Sequence, residues 1–341
     1  MSLKVLLLSD PQMDYLHYML TDGLIQVLGE ENVILYPFKK AYAGEVDDWY
    51  MLDDGKTGFT APIQQSMCWE NLRQLDIKDI IQDIKSGEFE FIILFSARTY
   101  AIKAIDELRR EIGNLPPIVF VDGEDYDSIR GDIIARYTPL CYFKRELECD
   151  MSSHGIFPFP FSAITNNLPD VDDTKKDIDV FFSCGRTYPL RDEVLRKLLR
   201  LKKEKNINFV GGSDPSLPEE NTSFRLSCQD YHRHIARSRI GISIRGYGMD
   251  TLRRWEIPTW NTFHLCDKPG FLILDDFTDG ENIVYFKIDD FEKKVMYYLE
   301  NNDEREKIAR KGKEHLMNFH TTAARAKYFL SVIQNRLKKL E

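Results

Sequence analysis

The stretch that most constrains this chain runs from Ser238 to Phe286. An apolar run, Ile240–Ile244, leads into a loop with two glycines, Gly246 and Gly248. Asp250 then stands before a helical segment carrying Glu256, and a second apolar run, Phe263–Cys266, follows. Strand, glycine loop, helix, strand is the βαβ grammar of a ligand-binding α/β domain. The glycines let backbone N–H groups approach a ligand closely, and the helix N-terminus behind them favours an anion. A carboxylate one and a half turns into that helix can accept hydrogen bonds from sugar hydroxyls. Together these features point to a nucleotide diphosphate site, although two glycines before a helix also serve as a plain turn.

The rest of the chain repeats this rhythm. Strands are expected at Lys4–Ser9, Val33–Tyr36, Phe91–Phe95, Ile118–Val121 and Tyr142–Phe143, with helices through Ile77–Ile84 and Ala101–Ile112 between them. The pattern breaks at 151–178, where prolines and a run with four aspartates suggest a linker. It resumes with a strand at Val180–Ser183, a helix over Arg191–Lys203, a strand at Ile207–Val210 and a helix near Tyr231–Arg237. Two helices are expected to close the chain. The fold class is therefore α/β, with parallel sheets covered by helices on both faces. The expected division is a first domain over 1–150, a linker over 151–178, a second domain over 179–320 and a last helix over 321–341. Residues 39–70 read as a long polar-aromatic loop, of the kind that is usually functional or mobile.

A net charge of −9 argues against binding nucleic acid or an anionic membrane. The six cysteines include no CxxC pair and read as reduced thiols, not a disulfide frame or zinc site. No secretory or membrane-spanning segment is visible, since the opening Val5–Leu8 run is only four residues long, so the expected location is cytoplasmic.

Further candidates sit where strands end and helices begin, where open α/β sheets bind ligands. Gly185, Arg186 and Arg191 flank one such turn. Asp10, Ser96–Arg98 and the Asp122–Asp125 cluster lie at three more. Asp122 or Asp125 could serve as general base on an acceptor hydroxyl if its surroundings raise its pKa, or cap the next helix, and Asp10 reads as a cap. The cluster could in principle hold a metal through oxygen ligands. His154, His232 and His234 have no ligand-like company and read as surface or linker residues.

The segment LRRWEIPTWNTFHLC, then DGENIVYF, then a helical run with Glu304–Gly312, resembles the C-terminal half of CgeB-like glycosyltransferases. Arg253, Glu256, Pro258 and Asn261 take the motif positions. These are GT-B enzymes related to the large retaining GT4 group. The resemblance implies two Rossmann-like domains facing across a cleft, with the last helix crossing back to the first domain. It implies a nucleotide-diphospho-sugar donor, used as co-substrate with no cofactor or metal, and a hydroxyl-bearing acceptor selected by the first domain. Donor-binding positions carried over are Gly185, Arg186 and Arg191 on the diphosphate, the Arg245–Gly246–Gly248 loop, Arg253, and Glu256 on the ribose. As alternatives, Arg191 is a helix-surface residue and Glu256 pairs with Arg253 or Arg254. GT4 enzymes carry another Glu eight residues before the ribose Glu, where this chain has Gly248. A nucleotide-sugar epimerase or hydrolase of the same fold, or a non-catalytic nucleotide- or carbohydrate-binding protein, fits the same residues.

Overall fold

The computed structural model describes the chain except residues 1–2, 12–13, 40–41, 43–68, 70, 149–154, 167, 169–170, 172–174, 220–221, 223, 225 and 340–341. Its first half is built on six parallel strands: β1 (Val5–Leu8), β2 (Val33–Tyr36), β3 (Phe91–Phe95), β4 (Ile118–Asp122), β5 (Cys141–Lys144) and β6 (Ile156–Pro158), in the order β2-β1-β3-β4-β5-β6. These are near-continuous apolar runs because helices cover both faces of the sheet. The helices are α1 (Tyr15–Leu28), α2 (Ile77–Lys85), α3 (Thr99–Ile112) and α4 (Gly131–Tyr137). Local chemistry sets where they start. The Asp14 side chain accepts the Leu16 and His17 N–H groups at the head of α1. Asp76 and Asp79 form a reciprocal capping box at the head of α2.

The second half has five parallel strands: β7 (Ile178–Gly185), β8 (Phe209–Asp214), β9 (Ser238–Ser243), β10 (Phe263–Asp267) and β11 (Val284–Phe286), in the order β11-β10-β9-β7-β8. Its helices are α5 (Pro189–Lys205), α6 (Cys228–Ala236), α7 (Leu252–Thr259), α8 (Phe291–Glu300), α9 (Asn302–Phe319) and α10 (Thr322–Leu337). The expected α/β class with two Rossmann-like sheets is what the structure contains. Three helices close the chain where two were expected. Part of the stretch read as linker also differs, because Ile156–Pro158 pairs in register with Tyr142–Lys144 as the sixth strand. The 39–70 loop and His154 lie outside the described residues, apart from Lys39, Tyr42 and Trp69. Tyr42 and Trp69 are buried against α1, and the Trp69 N–H donates to the Tyr42 carbonyl.

The chain passes between the halves twice, and the two passages touch. Ala163 pairs with Thr321, its N–H donating to the His320 carbonyl at 2.7 Å and its carbonyl accepting the Thr322 N–H at 3.0 Å. From there α10 lies along α1 of the first half. Gly23 is the contact point, since a Cβ there would collide with the Thr322 carbonyl and stand 2.9 Å from the Ala326 Cβ. Beside it the buried Asp22 carboxylate accepts from Gln26, Asn166 and the Thr322 hydroxyl. No helix among the described residues is long and apolar enough to cross a membrane.

Candidate functional site

The loop between β9 and α7 sits where the two halves meet. The Gly246 N–H donates to the Gly248 carbonyl at 2.9 Å, tightening the turn, and leaves Tyr247 at its tip 79% exposed. Each glycine faces a different half of the protein. A Cβ at Gly246 would stand 3.0 Å from Arg191 Nη2, and one at Gly248 would stand 2.9 Å from both Arg145 Nη2 and Asp125 Oδ1. Helix α7 follows with Thr251 at its N-cap, no side-chain cap hydrogen bond and no acidic residue in its first turn. Such a start suits an external anion.

Glu256 lies on α7. Its Oε2 accepts from the Tyr231 hydroxyl of α6 at 2.9 Å. Burial pushes its carboxyl up to about 6, against the opposing effects of that hydrogen bond and the Arg253 charge. Glu256 and Arg253 thus share one side of the helix with Tyr231, and of the two alternative pairings for Glu256 the one with Arg254 does not form. Arg254 turns the other way and donates to Asp276 at 2.6 Å and to the Tyr285 hydroxyl at 3.0 Å. On that side a small pocket opens, lined by Arg245, Thr251, Arg254, Asp267 and Lys268 among others. The Asp267 carboxylate accepts the Arg245 N–H, and the Arg245 guanidinium stands 4.9 Å from the Tyr188 ring centroid.

At the β7–α5 turn the two arginines are engaged within the protein. Arg186 makes a fork with Asp192 through Nε and Nη2 and donates through Nη1 to the Ser216 carbonyl. Arg191 is 6% exposed, so it is not a surface residue of its helix either. Its Nε donates to the Arg245 carbonyl, Nη1 to the Gly185 carbonyl and the Thr187 hydroxyl, and Nη2 to the Ile244 carbonyl. Burial and the nearby Arg253 charge lower its pKa to about 10. With each of its three nitrogens donating internally, Arg191 fastens the Gly185 turn to the glycine loop. That is a different task from the diphosphate grip expected of it.

The first half contributes the opposite wall. Asp122 is fully buried: it pairs with Lys144 Nζ at 3.2 Å and accepts from the Tyr142 hydroxyl at 2.5 Å and the Glu124 N–H. These contacts correct its expected role, since a general base needs an open lone pair facing substrate. Asp125 is exposed and pairs with Arg145. The two carboxylates thus face different partners, and among the described residues no group of three or more His, Cys, Asp or Glu could hold a metal ion. Asp10 is a cap, but of the helix after the neighbouring strand: it accepts the Tyr100 N–H at the head of α3. Arg98 bridges Glu124 and Asp14. His232, expected at the surface, is buried on α6 and accepts from Trp260 Nε1 at 3.0 Å.

Sequence reasoning passed over Arg145 and Glu146. Arg145 donates to both Asp125 and Glu146, and Glu146 Oε1 accepts the Asp250 N–H at 3.0 Å. The available signal was their place directly after β5, the same kind of strand end that singled out Asp122. Tyr231 was missed as well, because only the packing of α6 on α7 brings it to Glu256.

Residues 186–331 match the family described as glycosyl transferase-like. No curated protein sequence matches the chain. Among solved structures, a glycosyltransferase from Rickettsia africae superposes with a TM-score of 0.60 at 9% identity, covering 99% of each chain. Anabaena HepE in complex with UDP gives 0.58 at 11% identity, covering 98% of this chain and all of that one. Sucrose-phosphate synthase from Thermosynechococcus elongatus gives 0.52 at 10%, covering 99% and 100%. Identities this low speak for the fold alone. The chain has the GT-B fold of glycosyltransferases, and its residues 186–331 match their glycosyl transferase-like family.

Proposed function

We propose that this protein is a glycosyltransferase that moves a sugar from a nucleotide-diphospho-sugar to a hydroxyl-bearing acceptor, without a metal ion. The observation that carries the reading is Glu256. It is a half-buried carboxylate, bonded by Tyr231, on a helix whose uncapped start follows a glycine loop, within the segment that matches the glycosyl transferase-like family. In this reading Glu256 receives the ribose hydroxyls and the diphosphate lies at the start of α7. HepE, which has been seen with UDP and with UDP-glucose, has the same fold. We take the CgeB-like subtype from Arg253, Glu256, Pro258, Asn261 and the Glu304–Gly312 run.

As the glycosidic bond breaks, negative charge gathers on the departing diphosphate. Arg245, Arg254 and Lys268 around the neighbouring pocket supply fixed positive charge there, in place of a cation. Arg191 acts through the loop it fastens. Asp125 stands at the boundary between the halves, on the acceptor side in this reading. The test is a thermal-shift series with nucleosides, nucleoside diphosphates and nucleotide-sugars. A ligand that binds only the folded state raises the melting temperature by mass action. Stabilisation by diphosphates but not by nucleosides, followed by sugar transfer to an acceptor panel, supports the reading. Release of free sugar or of an epimer would identify a hydrolase or epimerase instead, and no response to any nucleotide would refute the donor site.

A further inference from the structure

We propose that Glu146, a residue of the first half, is a positioning residue for the glycine loop of the donor site in the second half. The inference rests on the donor-site reading above. Glu146 is 1% exposed, and its Oε1 accepts the backbone N–H of Asp250 at 3.0 Å. Arg145 donates to the same oxygen at 2.9 Å and reaches Asp125 as well, so the carboxylate is held from its own side. The glycine loop has no side chain at the point of closest approach. A Cβ at Gly248 would run into Glu146 Oε1.

What Glu146 grips is held at further points. The Asp250 carboxylate accepts the Phe161 N–H at 2.6 Å and Trp255 Nε1 at 2.9 Å, and Trp255 lies on α7. The next residue, Leu147, accepts the Leu272 N–H through its carbonyl at 2.7 Å, bracing the segment after β10. The chain leaving β5 therefore holds two loops that border the proposed site, on either side of the pocket with Arg245 and Lys268. Opening the contact between the halves would remove the acceptor of the Asp250 N–H just before α7. In this arrangement the donor loop has its binding shape only while the first half is seated against it. Glu146 touches no substrate, so its effect is on affinity through the loop.

The experiment compares wild type, Glu146→Gln and Glu146→Ala by UDP titration and by amide hydrogen exchange over 245–251. Glutamine keeps an acceptor oxygen and nearly the same volume, which guards against simple misfolding. Alanine leaves a buried N–H without its partner, so UDP should bind about tenfold more weakly, as expected for one lost charge-assisted bond. Exchange over 245–251 should rise in parallel, and Glu146→Gln should recover most of both losses. Faster exchange with unchanged UDP affinity would overturn the proposal, as would unchanged exchange in a folded Ala variant. If wild type binds no nucleotide at all, the donor-site reading fails in the wild-type titration alone, and the positioning role falls with it.

Discussion

Glu256→Gln separates what the candidate site costs the fold from what it offers a ligand. Burial raises the Glu256 carboxyl to about 6, above the ordinary value of 4.5. A raised value means that the folded state holds the proton more tightly than the unfolded chain does. The stability from this group is therefore fully present below 4.5 and is lost as pH rises through about 6. The difference amounts to about 2 kcal/mol against the charged form near neutral pH. Glutamine keeps an acceptor for the Tyr231 hydroxyl and removes the charge. The unliganded variant should therefore gain up to about 2 kcal/mol at pH ~7.5 and almost nothing near pH ~4.5. Nucleotide affinity should move the other way, because a neutral amide makes weaker bonds to ribose hydroxyls than a carboxylate does, with a loss of about tenfold. Glu256→Ala should lose more, together with the preference for a ribonucleotide over its 2′-deoxy form. Urea unfolding at the two pH values, with titrations of UDP and 2′-deoxy-UDP, measures all of this. A Gln variant less stable than wild type near neutral pH would refute the burial argument. Undiminished ribose preference in the Ala variant would remove Glu256 from the ribose.

Gly23→Ala should destabilise by about 1–3 kcal/mol in urea even though alanine is the better helix former, because its Cβ meets the Thr322 carbonyl; a gain in stability would mean that α10 does not press on α1 there. Arg191→Met leaves several buried carbonyls short of a donor and should lower stability by at least about 2 kcal/mol. Its binding of nucleoside and nucleoside diphosphate should weaken together, and a loss confined to the diphosphate would restore Arg191 to direct contact. Turnover of nucleotide-sugar should survive chelation, and complete, magnesium-reversible loss would defeat the metal-free mechanism.

The strands were legible because a parallel sheet covered on both faces demands long apolar runs, and such runs are local in the sequence. The glycine loop and the helix that follows it were legible for the same reason, since they lie within one βαβ unit. β6 was hidden by Pro158 and Pro160, which suggest a linker. It is the edge strand of its sheet, where proline does not break a ladder on both sides. Some of the contacts of Arg186 and Arg191 were hidden because those partners lie far along the chain. Ser216 is thirty residues from Arg186, and Ile244 is more than fifty from Arg191. Glu146 and Asp250 are 104 positions apart and meet only when the two halves dock. His232 carries no sequence mark of burial, which comes from the Trp260 ring that α6 covers.

The pairing of α1 with α10 also bears on how the protein is made. Synthesis runs from the N-terminus, so α1 leaves the ribosome some three hundred residues before Thr322 and the helix that covers Gly23. Until then Asp22 lacks the Thr322 hydroxyl, and the apolar side of α1 lacks Phe329, Leu330 and Ile333 of the same core. Domains commonly fold in order of emergence, and exposed apolar surface on an incomplete one invites aggregation. Here the first sheet can form early, but its covering layer is finished only by the last helix. A nascent chain stalled before Thr322 should therefore hold a first half that is proteolytically soft around α1 and a natural target for chaperones, whereas emergence of α10 should harden that half.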